Sequence, residues 1–321
     1  MVIGHSVPTQ HFLQEDFTMY YFIVNPSSRS GQGMKIWNRT KEKLQEKHIP
    51  YQVYFTKYNG HGQKLARQIS PQAAGQNLVV IGGDGTINEV LNGLPLDGSI
   101  TLSYIPVGSG NDFARGMHLP TDPDLALEKI LSSKDVQTID VGKLKTKNRT
   151  SYFSISSGIG YDAEVCYEVS HSPMKKWLNR LHLGKLIYAY AAVKLLFTFQ
   201  PSDMDVMLDG NRHYHFTKVY FIAGMNLQYE GGGFRFCPHA SYRDGALDYL
   251  IVHDLSKWKI LLLFPTAYFA LHTHIPGITI LQGKSIHITS TRPHKLHQDG
   301  EFAGIADTVT MSALEHCLRF H

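Results

Sequence analysis

The stretch NLVVIGGDGTINEVLNGL, residues 77–94, decides the fold. Its first half contains LVVIGG (78–83), a short unbroken apolar run closing on glycines, as a buried strand does. In the second half Ile87, Val90, Leu91 and Leu94 recur at i, i+3, i+4 and i+7 and form one helical face. Glycines 82, 83 and 85 remove the side chains that would keep an anion away from the backbone. The helix start adds about half a positive charge, enough to hold a phosphate without a lysine. Yet the loop carries Asp84, and no lysine or arginine lies anywhere in the stretch. Beside bare phosphates Asp84 would repel, so a cation is expected between them. Mg²⁺ accepts mixed carboxylate and phosphate ligation and travels with a nucleotide triphosphate. The plainer alternative, Asp-Gly closing a tight turn, stays open. Thr86 and Glu89 read as a T-x-x-E capping box, with Glu89 reaching back to the Thr86 amide.

The same alternation continues outward. YYFIVN (20–25), YQVYFT (51–56) and ITLSYIPVG (100–108) read as strands, while 34–48, 61–69 and 124–131 read as helices. Strand–helix alternation implies a parallel sheet covered by helices. Ligands of such sheets bind beyond the carboxyl ends of the strands, where NPSSRSGQG (25–33), GGDGT (82–86) and GSGND (108–112) all emerge. Near Val136 the pattern changes to successive strand-like runs without crossovers, HYHFTKVYFIAG (213–224) among them as one strand, which predicts an antiparallel sandwich. Helical interludes are expected around 174–199 and 256–272.

The fold class is thus an N-terminal Rossmann-like α/β domain followed by an antiparallel β-sandwich domain. The expected division is 17–136 against 137–305.

Composition is that of a globular chain: 321 residues, 43% hydrophobic and 18% charged, with a net charge of +4. The mild basicity suits an anionic ligand or membrane surface. The three cysteines, Cys166, Cys237 and Cys317, are widely spaced and suggest neither a disulfide framework nor a zinc motif, as expected of a reducing cytosol. The 18 histidines are scattered without metal-ligand spacing. The first sixteen residues lack a signal peptide's basic start and apolar core. The most apolar run, 260–271, contains Pro265 and is shorter than the roughly 20 residues a membrane span needs. A cytoplasmic chain without a transmembrane span is expected.

Two further Asp-Gly pairs, Asp244-Gly245 and Asp299-Gly300, sit between strand-like runs, where Asp-Gly is the ordinary hairpin turn. The second is followed by Glu301, placing two carboxylates around one turn. Such a pair beside a nucleotide site offers a general base for a hydroxyl proton.

With GGDGTINE, GSGNDFARG, GIGYDAEV (158–165), YEGGGFRFCPHASYRDGALD (229–248) and DGE (299–301) in this order, the chain resembles the diacylglycerol kinase catalytic family, and within it the soluble bacterial lipid kinases. The likeness runs from about residue 19 to 321 and implies that the C-terminal segment, 306–321, returns to the first domain. It implies ATP in a cleft between the domains, contacted by Asn25, Pro26, Ser27, Ser28, Arg29, Thr56, Gly82, Gly83, Asp84, Gly85, Thr86, Ile87, Asn88 and Ser109. It also implies a metal site at Asp244 with the backbone oxygens of Ser241 and Ala246, and a proton acceptor in either Asp299 or Glu301. One departure is NPSSRSGQG where relatives read NPxSGxG, which displaces the glycine towards the helix.

The implied reaction is transfer of the γ-phosphoryl group of ATP, with Mg²⁺, to a lipid hydroxyl, foremost that of diacylglycerol. Alternatives are a NAD kinase-like phosphotransferase on a soluble acceptor and a catalytically silent lipid- or nucleotide-binding protein. Expected partners are ATP and a lipid at a membrane surface, not nucleic acid; exposed sheet edges make a homodimer reasonable. The interludes at 186–199 and 260–272 are candidates for the lipid groove, with ordinary core packing as the alternative, and Lys175, Lys176, Arg180 and Lys185 could attract an anionic surface.

Overall fold

The computed structural model describes residues 18–133, 135–171 and 184–321. Four parallel strands, β1 (Tyr20–Val24), β2 (Tyr51–Phe55), β3 (Asn77–Gly82) and β4 (Thr101–Pro106), lie in the order β4-β3-β1-β2. Their side chains alternate between two cores. Tyr21, Ile23, Leu78 and Val80 face α2 (His61–Ala73) and α3 (Asp84–Leu91), while Phe22, Val24, Val79 and Ile81 face α1 (Ser28–Glu46) and α5 (Pro123–Ser132). Burial on both faces is why these strands read as unbroken apolar runs.

The second half adds β5 (Gln137–Lys145), β6 (Thr150–Phe153), β7 (Ser156–Gly160), β8 (Ser202–Leu208), β9 (Arg212–Val219), β10 (Phe221–Met225), β11 (Leu247–Val252), β12 (Ile278–Gly283), β13 (Ser285–Gln298) and β14 (Glu301–Phe320). The run 213–224, read as one strand, is two: β9 pairs with β8, whereas β10 pairs with β7 and β11. In β10, Ile222 enters the sandwich core, while Phe221, Ala223 and Met225 face α6 (Tyr161–His171), α7 (Gly184–Thr198) and α8 (Lys257–Leu263). The sandwich therefore carries a helical layer on one face. The interlude at 256–272 is α8 followed by two 3₁₀ turns, Phe264–Phe269 and Leu271–His274. Lys175, Lys176 and Arg180 lie outside the described residues, as does the side chain of Lys185.

All fourteen described strands belong to one hydrogen-bonded system, because β14 leaves β13 beyond Ser312, stays paired with β5 to Phe320 and there takes β4 as a parallel neighbour, pairing Arg319 with Thr101 and Phe320 with Leu102. Among the described residues no helix is long and apolar enough to cross a membrane.

The proposed capping box is not formed. The third helix begins at Asp84, two residues before Thr86, so Thr86 lies inside its first turn. The Glu89 carboxylate instead accepts from Gly60 N (2.7 Å) and Gly62 N (2.8 Å), capping α2 from outside. The positive N-terminal end of α2 attracts this carboxylate.

Asp140, fully buried, ties the second half together. Its carboxylate accepts from Gly245 N (2.8 Å) and from His316 N (2.7 Å) in the β14 bulge. Asp140→Ala leaves two amides unpaired at about 1–3 kcal/mol each. Denaturant unfolding is expected to show a loss of about 3 kcal/mol, and a loss below about 1 would contradict this role.

Candidate active site

The parallel strands end level, with Val24 beside Phe55 and Ile81, and Gly82 beside Pro106, so their loops share one edge. Neighbours β1 and β3 send their helices to opposite faces of the sheet, which opens a crevice between the loops.

In the first loop Asn25 Oδ1 accepts from Ser27 N and Asn25 Nδ2 donates to Thr86 Oγ1, both at 3.1 Å. This stitches the loop to the start of α3. The backbone then turns through left-handed Arg29 (φ 45°), Ser30 (57°) and Gly31 (93°). The two non-glycine residues cost about 1–2 kcal/mol each there. Gly33 lies against the first loop; a Cβ on it would sit 2.0 Å from Asn25 O. The displaced glycine of this sequence thus has a packing role. Thr56 closes the edge, its amide donating to Val24 O at 2.9 Å.

In the second loop, Gly83 lies against Gly108 of the third. A Cβ at Gly85 would stand 3.3 Å from Glu301 Oε1. Glu301, exposed at the start of β14, therefore faces the N-terminus of α3. The Asp84 carboxylate accepts from Asp112 N (3.1 Å) and Phe113 N (3.3 Å) of α4 (Asp112–Gly116). Burial, then the charge of Asp112, push Asp84 up to about 7. Asp112 Oδ2 accepts from Gly232 N at 2.6 Å and its other oxygen pairs with Arg115, joining the third loop to the second half. The raised carboxyl of Asp84, with Asp112 beside it at a glycine cradle, fits a divalent cation, which would favour the charged form.

Asp299 and Glu301 differ sharply. Asp299 (φ 46°) and Gly300 (φ 79°) form a two-residue hairpin turn. The Asp299 Oδ2 accepts from Asn88 Nδ2 (2.8 Å), Ser154 N (2.9 Å) and Ser154 Oγ (3.0 Å), and its Oδ1 from Ile155 N (2.8 Å) and Ser156 N (3.0 Å). A buried carboxylate whose two oxygens already accept from five donors is a clamp, held in place by the segments that supply them.

Of the other expected nucleotide residues, Gly83, Asp84, Gly85 and Ser109 line a cavity of about 350 Å³. Asn25 to Arg29, Thr56 and Gly82 lie along the same edge. The Ile87 side chain belongs to the core, and Asn88 is engaged by Asp299 and by Gln298 Nε2 at 3.2 Å. Ser241, Asp244 and Ala246 are not among the cavity's lining residues. The Asp244 carboxylate accepts from Ala246 N (3.1 Å) and Gln282 Nε2 (3.0 Å). Burial, then the charge of Asp244, raise its neighbour Asp248 to about 6.

The cavity continues past Asp112, Asp299 and Glu301 into an apolar chamber lined by Tyr161, Val165, Ala192, Phe221, Phe234, Phe236, Ile260 and Phe264. Ala192 lies in one expected lipid-groove stretch, and Ile260 and Phe264 in the other. In its wall, buried His297 Nε2 lies 3.0 Å from Asp162 Oδ2 and 3.4 Å from Glu230 Oε1. Burial opposes the charge on His297, but these carboxylates outweigh it and raise its pKa; burial raises Glu230 while His297 eases it. Asp112, Asp162, Glu230 and His297 were not among the expected site residues. The first two stand inside GSGND and GIGYDAEV; Glu230 and His297 meet only through the fold.

Residues 19–144 match the Diacylglycerol kinase catalytic domain, and residues 155–319 the YegS C-terminal NAD kinase beta sandwich-like domain. The chain is 31% identical over 294 residues to YtlR of Bacillus subtilis (strain 168), covering 89% of this chain and 94% of YtlR. It is 26% identical over 282 residues to a diacylglycerol kinase of Mycobacterium tuberculosis (strain CDC 1551 / Oshkosh), covering 88% of each. A crystal structure of a diacylglycerol kinase from Bacillus anthracis str. Sterne superposes with a TM-score of 0.69 over 95% of this chain and 97% of that one, at 21% identity, and shares the fold. With both halves matched in order and a relative above 30% identity along most of its length, the chain belongs to the diacylglycerol kinase catalytic family, a family of lipid kinases.

Proposed function

We propose that the protein is an ATP-dependent lipid kinase that phosphorylates a lipid hydroxyl, with diacylglycerol as acceptor and phosphatidic acid as product. The observation that carries this reading is the continuity of one cavity, from the glycine loops at 83–85 and 108–110 past Glu301 into an aromatic-walled chamber. A soluble nucleotide acceptor gives no reason for that chamber.

The glycine loops at 82–85 and 108–110 and the start of α3 would hold the triphosphate through backbone amides. Asp84 and Asp112 are the residues suited to hold Mg²⁺, which when bound neutralises charge on the phosphates. Glu301 takes the acceptor's hydroxyl proton as the alcohol oxygen bonds to the γ-phosphorus and the bond from that phosphorus to the bridging oxygen of ADP breaks. Asp299 positions Glu301 through the hairpin and Asn88 through its side chain. Asp244, with the Ser241 and Ala246 carbonyls, is assigned a second, structural cation that would ease the crowding of Asp244 and Asp248.

The acceptor's chains are expected to come from a membrane surface. The outer sides of α7, α8 and the following 3₁₀ turns expose Tyr190, Phe197, Trp258 (67%), Leu262 (76%), Phe269 (76%) and Leu271, on the elements that supply Ala192, Ile260 and Phe264 to the chamber. Aromatic and leucine side chains there suit insertion into an interfacial layer.

The direct test is ADP release in Mg-ATP with dispersed diacylglycerol or with NAD, and product mass spectrometry. Turnover with NAD alone would overturn the proposal. Glu301→Gln is expected to lower kcat by about 10²–10⁴ with the unfolding temperature unchanged. Asp299→Ala is expected to lower stability by about 3 kcal/mol or more, since buried donors lose their acceptor. Full activity in Glu301→Gln would remove that residue from the chemistry. Replacing Trp258 and Leu262 by serine removes about 1.5–3 kcal/mol of apolar burial per residue at a lipid surface. Vesicle co-sedimentation should fall at least about tenfold; unchanged binding would place the contact elsewhere.

A further inference from the structure

We propose that Cys166, Glu230 and His297, with Asp162 beside them, form a binding site for a thiophilic divalent ion of the zinc class, set in the wall of the cavity between the glycine loops and the apolar chamber. One ligand atom from each of Cys166, Glu230 and His297 can be chosen so that all lie within 4.8 Å of one another. Around a tetrahedral ion with bonds of 2.0–2.3 Å such atoms stand roughly 3.5 Å apart, so the cluster needs to close by about 1 Å. Three separate elements bring it together: α6 supplies Asp162 and Cys166 one turn apart on the same face, the loop after β10 supplies Glu230, and β13 supplies His297. Asp162, 3.0 Å from the His297 ring, stands beside them as a fourth donor, through oxygen.

The donor types separate this site from the one at the glycine loops. Sulfur with imidazole and carboxylate is the set that zinc, cobalt and related ions prefer, whereas magnesium takes oxygen. Access is provided, because Asp162, Cys166 and Glu230 all line the cavity. A divalent ion would also offset buried negative charge, since Asp162 and Glu230 both crowd one imidazole. The competing explanation is a buried ion-paired cluster with a neighbouring thiol, which predicts no metal dependence at all. The proposal does not rest on the lipid-kinase reading, because its readouts are metal spectra and thiol chemistry.

The experiment uses the full chain freed of metal by chelation and titrated with Co²⁺. One equivalent is expected to give thiolate-to-cobalt charge-transfer absorption that Zn²⁺ displaces. The band should vanish in Cys166→Ser, and cobalt affinity should fall at least about tenfold in Glu230→Gln. A measurement on the unaltered protein stands beside these: alkylation by iodoacetamide, read by peptide mass spectrometry. Zn²⁺ should slow labelling of Cys166 at least about tenfold, leaving half-buried Cys317 unchanged, while excess Mg²⁺ protects neither. Equal Cys166 labelling with and without zinc would overturn the proposal, as would a charge-transfer band that survives in Cys166→Ser.

Discussion

The carboxylate of Asp299 is the constraint on which the two halves' alignment depends. It sits in a left-handed turn between β13 and β14 and collects donors from α3 and from the β6–β7 segment. Hydrogen bonds to a charged acceptor are worth about 1.5–3 kcal/mol each, and none of these donors has water to turn to if the acceptor leaves. The clamp fixes the turn two residues before Glu301, so the distance from Glu301 to the α3 N-terminus is set by a buried network rather than by a flexible loop. Asn92 reinforces the junction, donating to Tyr152 O at 2.8 Å and accepting from Tyr152 N at 2.9 Å. A catalytic group on a hairpin is accurate only when the hairpin itself is tied down.

An anion cradle lined with acids is explicable in the same terms. The backbone supplies the fixed positive ends: the amides at the start of α3 and the glycines that let a ligand approach them. Asp84 and Asp112 use part of their capacity to bind amides from neighbouring loops, so the three loops hold one another in place. The charge of Asp112 is part of what raises Asp84, and a bound cation would relieve it. Lysine in their place would bind phosphate by itself, but would leave the amides of Phe113 and Gly232 without these acceptors.

Much of this was legible in the sequence, because the relevant signals are local. Period-3.6 spacing at Ile87, Val90, Leu91 and Leu94 and the apolar run at 78–83 correctly gave the central strand–turn–helix. The Asp-Gly pair at 299–300 correctly gave a hairpin. The errors came where a local rule met a tertiary competitor. Glu89 satisfied the spacing of a capping box, yet α2 offered unpaired amides that were nearer. The run 213–224 looked continuous, but left-handed Lys218 (φ 48°) and the change of partner near Tyr220 divide it between two ladders. Asp299 and Glu301 were indistinguishable as letters two positions apart. Only burial and five donors separate a clamp from a candidate base. The cluster of Asp162, Cys166, Glu230 and His297 spans 135 residues from its first member to its last, and no window of sequence contains it.

The sheet β7-β10-β11 has two apolar faces, one closing the sandwich and the other covered by α6, α7 and α8. Of these, α7 and α8 also carry apolar side chains on their outer sides. Ala191, Ala192 and Leu196 pack inward, while Tyr190, Val193 and Phe197 look outward, with Phe197 and Trp258 in edge contact at 5.1 Å between ring centres. A helix needs only one apolar stripe to be held against a sheet, and a second one in water lowers solubility without adding stability. The outward stripe on α7 continues onto α8 and the 3₁₀ turns, the same short elements that wall the chamber within. A two-sided partition of this kind is stable where its outer face also leaves water. The proposed lipid surface would meet that condition and, on the far side of the partition, would also supply an acyl chain to the chamber.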